Sequence, residues 1–399
     1  MLIKFDTMSR PIQLAQGMKL LPHLMRVFAG WPYREVPKAG NPGVLLNVLH
    51  EDGAYILEAP WLKSRLHYGD AAELAQGLAT HVARGWFLEH TGLLWLDAAA
   101  VAFGDQIVVF VGGPRSGKSL LAASLAVSGN PVFADSILPV SPDEQKGMSL
   151  GMAPRLQLPL PEELHGPLRE RIEGQLDSGA ERVGYLGAGG NNLAPFGAAA
   201  RIRAFVLLDR SASSAETLSP ASSGKLLKRL LLNSFGEGMD ADELLKKVEG
   251  IVGDTPCFRM AWSDPQEAVN ALRARFAIWR TPAADNEEQA KSQPRKQARR
   301  RPTGPRIPAG RQFRHRDGLR EHLVDADLFL VNRGGQTIYH LNGLGAGLWR
   351  LLDGTHGLDD VVTVLKEAYP DVEGATIEND VKSLVGDLAE RGLLIERVS

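Results

Sequence analysis

With one cysteine, Cys257, in 399 residues, the chain can form no intrachain disulfide, which fits a reducing compartment. Cys257 stands between Pro256 and Phe258 in an apolar stretch and reads as a plain buried thiol rather than a nucleophile. No apolar run approaches the roughly twenty residues of a membrane span. The opening Met1-Leu2-Ile3-Lys4-Phe5-Asp6 has no signal-peptide core. A cytoplasmic protein without a membrane partner is therefore expected. Acids are missing from Lys291 to Arg316, and large apolar residues are scarce from Thr281 onward. Such a segment cannot bury enough surface to offset its ordering, so residues 281–316 are expected to be a basic flexible linker. Its cluster Arg295, Lys296, Arg299, Arg300 and Arg301 has the charge to meet nucleic acid or an acidic peptide. With no base-reading module or aromatic platform elsewhere, a solvated linker is the better reading and nucleic acid is not an expected partner.

What the chain does have is Gly112-Gly113-Pro114-Arg115-Ser116-Gly117-Lys118-Ser119, which fits the phosphate-loop pattern G-x-x-x-x-G-K-[ST] without a mismatch. The context supports the pattern. Gln106 to Val111 is a short β-branched run suited to a strand buried on both faces, and Ser119 to Val127, stopped by Gly129-Asn130-Pro131, predicts a helix. Glycines let several backbone N–H groups converge on a phosphate, and the helix N-terminus adds partial positive charge. The nucleotide-binding set is thus Gly112, Gly113, Pro114, Arg115, Ser116, Gly117, Lys118, Ser119 and Leu120. Lys118 is expected to reach the β- and γ-phosphates of ATP, and the Ser119 hydroxyl to ligate Mg²⁺.

The flanks extend this site. Leu93 to Ala102 predicts a strand joined to the loop strand by a turn at Gly104-Asp105, so the two must be antiparallel neighbours, unlike most phosphate-loop sheets. Val132 to Val140 predicts an apolar strand interrupted by Asp135, placed where a second Mg²⁺-binding carboxylate belongs. Further on, Pro154 to Pro161 reads as extended, Glu162 to Leu176 as a charged surface helix, and Gly184 to Asn192 as a glycine-dense connector. Arg203 to Asp209 and Phe258 to Trp262 read as strands, with a helix opened by Ser219-Pro220 between them and another from Pro265 to about Trp279. Residues 1–92 predict a small sheet plus a helix from Ala71 to Trp86, on which His81 is a half-buried residue rather than a ligand.

Past the linker, residues 317–399 form a separate domain. Leu328 to Asn332 and Gln336 to Leu341 flank Arg333-Gly334-Gly335 as a hairpin. Three helices follow, marked by Leu344, Leu348 and Leu351, then Leu358 to Tyr369, then Val381 to Leu388. This is a winged-helix-like α+β module whose sheet edge can accept a peptide strand.

Two resemblances cover most of the chain. Residues 93–280 resemble the HPr kinase/phosphorylase family in its broad sense, whose nucleotide fold is similar to that of phosphoenolpyruvate carboxykinase. The residues that carry it are Leu96-Asp97-Ala98-Ala99-Ala100-Val101, the loop Gly112 to Ser119, Ala134-Asp135-Ser136, and Pro154-Arg155-Leu156-Gln157-Leu158-Pro159. The family has His where Asp97 stands and two acids where this chain has Asp135-Ser136. One acid of that pair helps hold metal and the other is the base. Ser136 cannot take a proton at neutral pH, so Asp97 is the candidate to orient or deprotonate the acceptor. The resemblance implies an α/β fold, catalytic Asp97, Asp135 and Lys118, Mg²⁺ at Ser119 and Asp135, and a homo-oligomer.

Residues 323–394 resemble the PqqD-type domain, through Tyr339-His340-Leu341-Asn342, Leu348-Trp349, Leu352-Asp353-Gly354-Thr355, Tyr369-Pro370 and Gly392-Leu393-Leu394. That family recognises leader peptides of ribosomally made, modified peptides. The resemblance implies a leader strand beside the hairpin edge and third helix, with Phe329, Val331, Ile338, Lys382 and Val385 as loose candidates. Together the two imply an ATP-dependent phosphotransferase acting on a hydroxyl of a precursor peptide. The alternative is a non-catalytic scaffold or peptide chaperone serving a separate modifying enzyme. A flexible linker of some thirty residues spans about 30 Å, which would hold a bound peptide near the site at a concentration of order mM.

Overall fold

The computed structural model describes residues 1–37, 43–180, 182–187, 192–210, 217–276, 311–368, 370 and 372–397. The body of the expected linker with its basic cluster, the end of the helix expected to reach Trp279, residues 188–191 and Tyr369 lie outside the described residues. The chain forms two compact units, Met1–Met239 with Lys246–Trp279, and Asp240–Leu245 with Arg280–Ser399. The architecture is mixed α/β with several sheets.

The first unit begins with a six-stranded sheet in the order Tyr33–Glu35, Leu2–Phe5, Ile12–Leu14, Leu46–Glu51, Ala54–Glu58, Leu66–Tyr68. Period-2 alternation puts Leu46 and Val48 inward, against the helices Gly17–Val27 and Ala71–Glu89. The Asp70 side chain accepts from Glu73 N and starts the second helix. The first was not legible in sequence. It starts after a left-handed Gln16, has no side-chain cap and carries Pro22 inside. Phe5, Phe28, Trp31 and Trp86 fill the core between sheet and helices, and Ile137, Leu150, Ala153 and Tyr185 join the same cluster. Residues 1–92 thus share a core with the layer that carries Gly112 to Ser119. The seam is tight. Gly30 N donates to Gly151 O at 2.7 Å, Ala153 N donates to Val27 O at 2.9 Å, and Gly151 has φ +66°.

The second layer is a ten-stranded mixed sheet. Gln106–Val111 is the loop strand, antiparallel to Ala99–Phe103 as expected and parallel to Ala199–Arg210, which is in turn parallel to Cys257–Trp262. The loop helix Lys118–Ala126 is buried along Leu120 to Ala126. It has no polar face because it packs both on the sheet and against the helix Pro265–Phe276.

Several expectations need correction here. The runs 93–102 and 132–140 are each broken. Leu94–Leu96 and Ala99–Phe103 are separate strands, as are Val132–Ala134 and Leu138–Ser141. Ser219-Pro220 does not open a helix. Thr217–Pro220 is an edge strand against Cys257–Trp262, where a proline is tolerated, and Ser222 caps the helix Ser223–Leu231 three residues later. The helix expected over 162–176 spans Gly166–Glu173, and Leu176–Ala180 is a strand.

In the second unit, Asp327–Val331 and Ile338–Leu341 form the expected hairpin, and Arg320–Val324 adds a third antiparallel strand. One hairpin edge is therefore covered, and Ile338–Leu341 has no second partner strand among the described residues. Helices Gly343–Leu351, Leu358–Ala368 and Gly374–Glu390 pack on this sheet around Trp349. Residues 312–315, placed in the expected linker, belong to this unit. Gln312–His315 is a strand paired with Leu394–Arg397, because Phe313 supplies an apolar anchor that is buried in the domain core.

The seam predicts its own sensitivity. A Cβ at Gly151 would run into the Gly30 backbone, and the left-handed φ adds strain. Gly151→Ala is expected to cost about 1–3 kcal/mol, read as a lowered melting temperature. An unchanged melt would show that the two layers do not depend on this approach.

Candidate functional site

The loop strand ends at Val111, in register with Leu207 of its parallel neighbour, and the chain then turns tightly into the loop helix. Arg115 (φ +65°) and Gly117 (φ +86°) are left-handed. Gly112 and Gly117 have no room for a side chain. A Cβ would meet the Ser116 hydroxyl at the first and the Trp262 indole at the second. Gly117 precedes the helix without any side-chain cap, so the amides of the first turn are left for a ligand. Pro114 and Arg115 lie exposed on the outside of the turn, whereas the Leu120 side chain is core, so Leu120 can contribute only its backbone N–H.

Lys118 and Ser119 each face a carboxylate. Lys118 Nζ donates to Gly112 O at 2.8 Å and lies 3.8 Å from Asp97 Oδ1. Asp97 Oδ2 accepts from Asn233 Nδ2 at 3.0 Å. Asp135 is buried, its Oδ2 accepts from Arg155 N at 3.0 Å, and the Ser119 hydroxyl is its neighbour. The topology explains the meeting. Leu138 pairs with Leu96 and Ala134 pairs with Ala100, so the break at Asp97-Ala98 lies opposite the break at Asp135–Ile137. Two interrupted strands thereby bring acids 38 positions apart in sequence to consecutive residues of one helix.

The electrostatics leave the Asp135 carboxyl only partly compensated. Burial pushes the Asp135 carboxyl above its ordinary range, against the Arg155 amide, the Ser119 hydroxyl and the Arg155 and Lys118 charges, which pull it down. Four buried polar atoms around the loop have no hydrogen-bond partner, namely Asp135 Oδ1, Ser116 Oγ, Arg229 Nη2 and Trp262 Nε1. Leaving such atoms unpaired is costly in a folded protein. A triphosphate with a divalent cation would suit three of them, the cation at Asp135 and the phosphates toward Ser116 and Arg229. No cluster of three or more His, Cys, Asp or Glu side chains suited to a metal occurs among the described residues. A magnesium held by one carboxylate, one hydroxyl and phosphate oxygens needs none.

Arg229 was not singled out in the sequence. Its guanidinium comes within 3.0 Å of where a Gly113 Cβ would stand. In the sequence it is one of the cations Lys225, Lys228 and Arg229 on an amphipathic helix, and only the fold separates it from the solvated ones. Asn233, just beyond that helix, carried no signal either. A cavity of about 160 Å³ opens beside Asp135 and Ser136 and is walled across from them by Gln76, Ala79 and Thr80 of the helix Ala71–Glu89.

In the second unit an apolar groove of about 320 Å³ is lined by Leu344, Leu348, Leu365, Ile377, Val381 and Leu384. Of the loose peptide candidates, Phe329, Val331 and Val385 are core, while Ile338 and Lys382 are half-buried. No helix among the described residues is long and apolar enough to cross a membrane.

Residues 327–394 match the family model described as coenzyme PQQ synthesis protein D (PqqD). No curated protein matches the chain. Among solved structures, it is similar to "TbiB1 in Complex with the TbiA(beta) Leader Peptide", with 22% identity over 22% of this chain and 99% of that one, at a TM-score of 0.20.

The raised Asp135 carboxyl yields a signed prediction. A carboxyl whose folded pKa lies above its unfolded value holds its proton more tightly in the folded state. It therefore destabilises the fold increasingly as pH rises from the unfolded toward the folded pKa, and fully above it. Asp135→Asn, without nucleotide or metal, is expected to melt about 2–4 °C higher than wild type at neutral pH, with the gap closing toward about pH 4. A variant that melts lower at neutral pH would mean the carboxylate is already well compensated.

Proposed function

We propose that the first unit is a phosphate-loop domain of the HPr kinase and phosphoenolpyruvate carboxykinase type that transfers the γ-phosphoryl group of ATP to a hydroxyl on a peptide. In this reading residues 327–394 bind the leader of that peptide. The observation that carries the first part is the pairing of Lys118 with Asp97 and of Ser119 with the half-satisfied Asp135 carboxyl at one uncapped helix start. The backbone of Gly112 to Gly117 and the first-turn amides would cradle the phosphates, with Lys118 and Arg229 countering their charge. Ser119 and Asp135 would hold Mg²⁺, which when bound neutralises phosphate oxygens. In the transfer, the acceptor oxygen bonds to the γ-phosphorus as the bond to the β,γ-bridging oxygen breaks. ADP leaves with that electron pair. The hydroxyl proton passes to Asp97, since Ser136 is no base at neutral pH.

What supports the second part is the PqqD match together with an open sheet edge at Ile338–Leu341 and an apolar groove on the adjoining helices. An extended peptide would add to that edge by main-chain hydrogen bonds and seat apolar side chains in the groove.

Mass spectrometry of a precursor peptide after incubation with the full chain, Mg²⁺ and ATP tests the transfer. A phosphate-sized gain is expected, falling by about 100-fold or more in Lys118→Ala and in Asp97→Asn. ATP and leader both bound without any gain would leave a scaffold that presents peptide to another enzyme. The groove has a separate test. Leu344 is 49% exposed, so Leu344→Glu should leave folding and ATP binding intact while weakening leader binding about tenfold. Unchanged leader affinity would remove the groove from the reading.

A further inference from the structure

We propose that the cavity beside Asp135 receives the acceptor residue and that the Arg155 guanidinium recognises a carboxylate carried next to the accepting hydroxyl. This rests on the transferase reading above.

The cavity, about 160 Å³, is lined by Gln76, Thr80, Asp135, Ser136, Arg155 and Tyr185 among others. It is smaller than the roughly 300–1,000 Å³ of pockets for drug-sized ligands, and matches one residue rather than a folded surface. Ser119 and Asp135 also line it, so its occupant lies against the two proposed metal ligands. One Asp135 oxygen has no hydrogen-bond partner.

Arg155 is the cation of this cavity. Its backbone N–H is committed to Asp135. Its guanidinium has no hydrogen bond or ion pair among the described residues, although it acts electrostatically on both Asp135 and Tyr185. A planar guanidinium fork is suited to bidentate pairing with a carboxylate. A serine or threonine inside a neutral stretch offers only uncharged amides and would leave the fork unused. Asp135 alone would repel an incoming carboxylate, and the Arg155 charge lets both occupy the cavity. Two sources present the same chemistry, a chain-terminal carboxylate on the acceptor residue itself or an acidic side chain beside it.

The test uses the full chain with Mg²⁺ and ADP and four fluorescent peptides of one core sequence. In two, serine is the last residue, with a free or an amidated end. In the others serine is internal, the end amidated, and the next residue is aspartate or asparagine. Wild type is expected to bind at least one charged peptide about tenfold more tightly than its neutral twin. Arg155→Gln should erase that difference while keeping the melting temperature and ADP affinity, and Arg155→Lys should restore part of it. Preference for the free end assigns the chain terminus, and preference for aspartate assigns the side chain. Equal binding of charged and neutral twins by wild type, or a preference that survives Arg155→Gln, overturns the proposal. Because the readout is binding, Arg155-dependent discrimination without phosphate gain would sink the transferase and keep the anion pocket.

Discussion

Everything at the phosphate loop turns on a carboxyl that the fold buries without fully satisfying. Asp135 lies where two broken strands face each other, with one oxygen held by the Arg155 amide and the other unpaired. Burial of a carboxylate is tolerated only when its charge is countered, and the groups available here are Ser119, Lys118 and Arg155. Lys118 is itself engaged with Gly112 O and Asp97. The packing thus leaves this carboxyl only partly compensated, which is what the proposed cation and phosphates would complete.

The same constraint accounts for the N-terminal layer. Its helix Ala71–Glu89 closes the far side of the cavity at Asp135, and its core is continuous with Ile137 and Tyr185 next to that site. The backbone approach of Gly30 to Gly151 fixes this wall to the loop layer without intervening side chains. Residues 1–92 therefore shape what reaches the carboxyl, which gives a role to a segment whose sequence suggested only a small sheet. In the second unit the arrangement is different in kind. Arg320–Val324 and Ile338–Leu341 are the two outer strands of its sheet, each paired on one side alone among the described residues.

The sequence determined the elements that depend on local chemistry. The loop strand Gln106–Val111, the glycine turn, the helix that follows and the hairpin around Gly334-Gly335 were legible because turn residues and apolar periodicity act over a few positions. It also offered Lys118, Ser119, Asp135 and Asp97 as candidates, through a motif and a resemblance, and the fold brings these four together. Local signals failed where two were equally good. Ser219-Pro220 and Ser222 both look like helix starts, and only pairing of Thr217–Pro220 with Cys257–Trp262 decides between them.

Tertiary structure alone decided the rest, because contacts between distant segments leave no periodic trace. The breaks at Asp97-Ala98 and Asp135–Ile137 read as continuous apolar strands until Leu96 pairs with Leu138 and Ala100 with Ala134. Arg229 and Arg155 are ordinary cations in sequence, and they differ from their neighbours only in what the fold places around them. Phe329, Val331 and Val385 looked available for peptide binding until packing buried them. Which residues the chain contains was written along it. Which of them are left unsatisfied depended on the folded arrangement.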